Sequence, residues 1–171
     1  MTKVERRIIH DGRVYEVACA LRADGVTSPV SDFLDQLKEQ TWQPDTTDPS
    51  ELTGDDQYRA YAWLLEAVRY FADNGEFRQR GSWNLLFDGI WEIKRWQLRI
   101  TFFDTDGLGN YTPKMTERSS ASGVCPLPEF DEHIRLGTAF GKTASQKKTP
   151  QQQLDLAYEI REEDLSHDRP T

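Results

Sequence analysis

The chain has 171 residues, 29% of them charged, with a formal net charge of -8 and a mean hydropathy of -0.73. That length allows one domain with a real core, and five Trp, six Tyr and eight Phe argue for a folded one. No apolar run approaches the roughly 20 residues of a membrane span. The basic N-terminus lacks the apolar stretch of a secretory signal, and Cys19 and Cys125, without Cys or His at metal spacing, are expected to stay reduced in the cytoplasm.

In chain order, residues 4–21 predict a hairpin with its turn at Asp11-Gly12 and alternating character from Val14. Ser28-Pro29 is a helix start, N-cap followed by Pro at the first helical position, and Val30, Phe33, Leu34 and Leu37 fall on one helical face. After the turn-rich stretch 43–54, a longer helix is expected from Asp55 or Asp56 to about Asn74, closed by Gly75. Tyr61, Leu64, Leu65, Val68 and Phe71 form its core stripe. Residues 82–103 read as two or more antiparallel strands around the tight-turn dipeptide Asp88-Gly89. The Gly-, Pro- and acid-rich stretch 104–132 is expected to be a long hairpin excursion contributing no core. A strand from His133, a basic loop, and a helix over 150–164 with a capping-box start at Thr149-Pro150 complete the order ββααβββα. This predicts a single α+β domain over residues 1–165, with 166–171 as a flexible tail.

Charge is unevenly distributed. Residues 76–103 together with 133–148 carry nine basic against three acidic residues, +6 in a chain that is otherwise acidic. Basic charge gathered on the strand segments is what a local anion-binding face needs. The set is Arg78 and Arg80 ahead of the sheet, Lys94, Arg95 and Arg99 within it, and Lys142, Lys147 and Lys148 after its last strand, with Trp96 placed to stack on a base. Strand parity puts Lys94 on one face with Ile90 and Glu92; whether Arg99 joins them depends on the Trp96-Gln97 turn. Gly141-Lys142-Thr143 is not a phosphate loop, because Leu136 stands where that motif needs Gly. The pattern holds no metal site. Glu162-Glu163-Asp164 reads as solvated charge at a helix end.

The succession SPVSDFLDQL, then LLFDGIWEIKRWQLRITFF, then AFGKTASQKKTPQQQLDLA resembles the phage Gp49-like and HigB-like branch of the RelE/ParE toxin superfamily, over roughly residues 14–103 and 133–163. Its members carry strands reading approximately L-x-D-G-[ILY]-[WY]-E-[IL]-[RK] and [YF]-R-[IV], then F-x-K-K-T-x-K-T-P leading into a helix. The resemblance implies a RelE-like antiparallel sheet with two N-terminal helices packed on it and a C-terminal helix. It also implies a type II toxin cleaving mRNA at the ribosome without metal or other cofactor, neutralised by a helix-turn-helix antitoxin. In that chemistry the 2′-OH attacks the adjacent phosphate, which needs a base, cations for the phosphorane and an acid for the leaving oxygen. Carried over, Arg99 matches the strand arginine, Lys94 the basic residue after W-E-I, Lys142 the Lys after Phe, and Lys148 the Lys of K-T-P. His133, opening the last strand, is the candidate general acid/base.

Three departures stand in the sequence: Leu98 replaces the aromatic before Arg99, the stretch between Phe140 and Pro150 is longer, and 104–132 replaces a short turn. A relative that keeps the fold as a protein-binding module without cleavage is the alternative, and a gyrase inhibitor of the ParE kind the third reading.

Overall fold

The structure is a computed structural model that describes residues 3–43, 54–142 and 148–170. Its frame is a six-stranded sheet of β1 (Ile8–Asp11), β2 (Glu16–Cys19), β3 (Trp83–Phe87), β4 (Ile90–Arg95), β5 (Leu98–Thr105) and β6 (His133–Gly141), in the order β1-β2-β6-β5-β4-β3. The β1–β2 hairpin forms where Asp11-Gly12 predicts it, but Gly12 serves a close approach and not a left-handed turn. A Cβ on it would collide with the Ala72 backbone, whose carbonyl accepts from Val14 N and Tyr15 N at 2.9 Å. At the Asp88-Gly89 turn both residues have positive φ, 48° and 75°, as a two-residue type I′ connection requires.

The sheet is mixed, not antiparallel. β6 returns from the excursion to the middle of the sheet, where it runs parallel to β2 and antiparallel to β5. Four strands, not three, separate the second helix from the last. The helical pair α1 (Pro29–Glu39) and α2 (Gly54–Asn74) follows a hairpin, so the arrangement with two N-terminal helices is not matched, while the α+β class holds. Ser28 caps α1 through its side chain, and Gln40 ends it in the left-handed region at φ 64°. Gly75, φ 75°, ends α2.

Both helices lie on one face of the sheet. Val30, Phe33, Leu34 and Leu37 of α1 and Leu64, Val68 and Phe71 of α2 join Val17, Trp91, Ile93, Ile100 and Phe102 in one core. At roughly 1.5–3 kcal/mol for each large side chain buried, this cluster is the main stabilising term. Helix α3 (Gln151–Ser166) lies against the opposite face, burying Ile160 and Leu165 with Ala20 and Phe103. Alternation along β5 makes the division plain, since Phe102 belongs to one core and its neighbour Phe103 to the other.

Three sequence readings are corrected here. Residues 106–132 hold no strand or helix, yet Phe130 is buried and packs edge-on against Tyr15, Phe71, Trp91 and Phe102. Lys114 binds Asp104 at 2.9 Å and Asp131 at 3.1 Å, and Trp83 and Trp91 donate to the carbonyls of Cys125 and Lys114. The excursion is therefore part of the core. Asp164 is not solvated charge but fully buried. It accepts from Arg6 Nε and Leu21 N at 2.8 Å and from Arg135 Nη1 at 2.9 Å, and Asp168 accepts from Arg6 Nη1 at 3.0 Å and from the same Arg135 Nη1 at 3.1 Å. The capping box is also absent: Pro150 is the N-cap of α3 without a side-chain bond. Beyond α3, His167 meets Arg22 O at 2.7 Å and Arg169 Nε donates to Gly109 O at 3.1 Å.

Candidate functional site

The site grows from the β4–β5 hairpin. Trp96-Gln97 is a two-residue loop, so Arg95 pairs with Leu98, Lys94 lies directly opposite Arg99, and Glu92 lies opposite Thr101. Lys94, Arg99 and Glu92 therefore share one face, the face that α3 partly covers. Like charges directly opposed across a ladder repel. Glu92, 1% exposed, supplies the counter-charge: its Oε1 stands 3.8 Å from Arg99 Nε and accepts from Asn84 Nδ2 at 3.1 Å. Thr149, just ahead of α3, donates its hydroxyl to Glu92 Oε2 at 3.4 Å. Its side chain thus serves the sheet and not a helix cap.

Arg99 Nη1 donates to the carbonyls of Trp96 and Leu98, both at 2.8 Å, while its buried Nε makes no hydrogen bond among the described residues. Burial lowers the Arg99 pKa below the ordinary arginine value, with Glu92 opposing. Burial also lowers Lys94, and the nearby positive charges of Arg99, Lys142 and Arg118 lower it further against the pull of Glu92. A cation kept partly dehydrated among other cations gains most when an anion arrives.

Around this centre lies an open cleft whose lining includes Arg80, Ser82, Lys94, Arg95, Trp96 and Arg99. Trp96 is 52% exposed and sits at φ 52°, a strained conformation for a residue with a large side chain. The Arg95 side chain leaves the face of Lys94 and is sandwiched between Trp96 and Trp63 of α2, with its guanidinium carbon 4.2 and 4.7 Å from the ring centroids. Lys142 N donates to Gln97 O at 2.7 Å, which brings the end of β6 against the hairpin loop. Lys148 is exposed beside Thr149. Lys147 lies outside the described residues.

Two predicted residues fall elsewhere. Arg78 stacks over Tyr70, 4.6 Å from its centroid, on the far side of the segment 79–82. His133 opens β6 opposite Thr105, whereas Arg99 pairs with Phe140. At roughly 3.3 Å per residue that leaves it about 20 Å from the site. It faces Glu16 at 3.3 Å instead.

Sequence reasoning missed Glu92 as an acid of the site, although its parity with Lys94 was visible. It also missed Asn84, Thr149 and Arg118. Arg118 comes from the acidic excursion, where no pattern marks it. No group of His, Cys, Asp or Glu among the described residues could hold a metal ion. None of the described helices is long and apolar enough to cross a membrane. Comparison with protein-family models, curated proteins and solved structures finds no match to this chain.

Proposed function

We propose that the chain is an RNA-cleaving toxin of the RelE/HigB-like kind, acting on mRNA at the ribosome without a metal ion. The observation that carries this reading is the register of Lys94 against Arg99 with the buried carboxylate of Glu92 on the same face beside them. Cations alone make an anion site; cations with one carboxylate make a site for proton transfer at a phosphate.

Each group then has a role. Glu92 takes the proton of the 2′-OH, whose oxygen bonds to phosphorus. Arg99 holds the extra charge of the phosphorane with its guanidinium. Lys94, lowered by burial into a better acid, protonates the 5′-oxygen as the P–O5′ bond breaks. The products are a 2′,3′-cyclic phosphate and a 5′-OH. Arg80, Arg118, Lys142 and Lys148 hold the flanking backbone, and Trp96 offers a stacking surface. The partners implied are mRNA, the ribosome and a cognate helix-turn-helix antitoxin. Induced expression tests the reading: growth arrest with new mRNA 5′ ends, both lost in Arg99→Ala, supports it. Absence of arrest and cleavage in translating cells overturns it.

A second reading, a protein-binding module on the same fold, draws on Arg99 itself. Two of its donor contacts are spent on the hairpin's own carbonyls, a structural use of the side chain. Full partner binding by the Arg99→Ala/Lys94→Ala double variant, together with no RNA cleavage by the parent, favours that module.

A further inference from the structure

A second cleft, about 60 Å³, lies across the segment 79–82 from the cationic one, and Gln79 and Ser82 line both. Trp63 and Tyr70 of α2 wall it two turns apart. Its floor is Phe77, stacked on Phe71 at a centroid distance of 4.4 Å and 8° between planes, so the floor is rigid. Arg78 of its lining lies over Tyr70, while Arg95, which lines the neighbouring cationic cleft, lies over Trp63. The Arg95 Nε is buried without a hydrogen-bond partner among the described residues. Glu66 stands exposed at the edge.

We propose that this cleft is a base-binding slot for the nucleotide adjacent to the phosphate at Arg99, and that it takes a base bearing an exocyclic amino group. The inference rests on the RNA reading of the Arg99 site. Aromatic walls with an arginine stacked beside them are what an unstacked base meets in single-stranded RNA recognition. Glu66 disfavours a phosphate inside the slot and accepts from an amino group, which cytosine has and uracil lacks. The phosphate stays outside, where Arg80, Lys94 and Arg99 stand, so the path crosses the 79–82 segment once per base.

The test is fluorescence anisotropy of labelled hexacytidylate and hexauridylate with the full chain at low salt. The slot predicts tighter binding of hexacytidylate, a loss of about tenfold in Trp63→Ala, and equal binding of the two oligomers in Glu66→Ala. Trp63 also packs on the core, so Glu66→Ala, at an exposed position, keeps the test sound if Trp63→Ala unfolds. If the two oligomers bind the parent equally and Glu66→Ala changes neither, while Lys94→Ala/Arg99→Ala abolishes binding, the slot is refuted and the RNA reading stands. If neither oligomer binds the parent, the slot is refuted, and the RNA reading is decided separately by cleavage in translating cells.

Discussion

Glu92 carries more of the proposal than any other side chain, because it is an acid buried at 1% exposure beside an arginine and a lysine. Replacing it with Gln keeps shape and hydrogen bonding but removes the proton acceptor. Glu92→Gln is expected to cut RNA cleavage roughly 10²- to 10⁴-fold while binding stays within a few fold, measured by single-turnover kinetics and anisotropy. Lys94 gives the pH dependence. Its folded pKa is lowered, by burial first and then by Arg99, so it loses its proton at a lower pH than an exposed lysine. Cleavage should therefore fall on the alkaline side earlier than ordinary lysine titration would bring, and Lys94→Arg should carry that limb upward in a pH–rate profile. The stability sign is the reverse of a favourable pair. The charged lysine opposes folding below its folded pKa, and the opposition fades as pH rises through it.

At the scale of elements, turn chemistry was the most legible feature. Asp88-Gly89 was readable as a hairpin because few dipeptides accept two positive φ values in succession. The helices were legible from caps and stripes for the same local reason. What escaped was set by distant contacts: the parallel pairing of β6 with β2, the burial of Asp164, and the packing of Phe130 from a stretch that reads as loop. Lys94 and Arg99 could be named singly, but their convergence waited on the length of the Trp96-Gln97 loop. Gly89 ties both kinds of information together. A Cβ there would meet Pro113 Cα at 2.7 Å and Lys114 N at 2.9 Å, on a backbone already at φ 75°. Gly89→Ala should destabilise the fold by about 2 kcal/mol through the strained turn and the displaced excursion, read as an earlier midpoint in urea.

Across the whole molecule, a buried ionic tie joins the N-terminal segment, β6 and α3 through Arg6, Arg135, Asp164 and Asp168. Asp164→Ala leaves Arg6 and the buried Arg135 with Asp168 as their shared carboxylate and is expected to cost about 3–5 kcal/mol, on the order of 10 °C in melting temperature for a chain of this size. Because the tie sits away from the cationic cleft, the surviving folded fraction should bind RNA as the parent does. The same scale holds the charge argument: a molecule of net charge -8 repels RNA except where its cations gather.

The measurement that bears most directly on the central claim is end-mapping of an mRNA incubated with the purified chain in a translating extract. The account predicts cuts that leave a 2′,3′-cyclic phosphate and a 5′-OH, present with the parent and lost with Arg99→Ala and Glu92→Gln. An mRNA left intact by the parent, or cut equally by the three proteins, would contradict it.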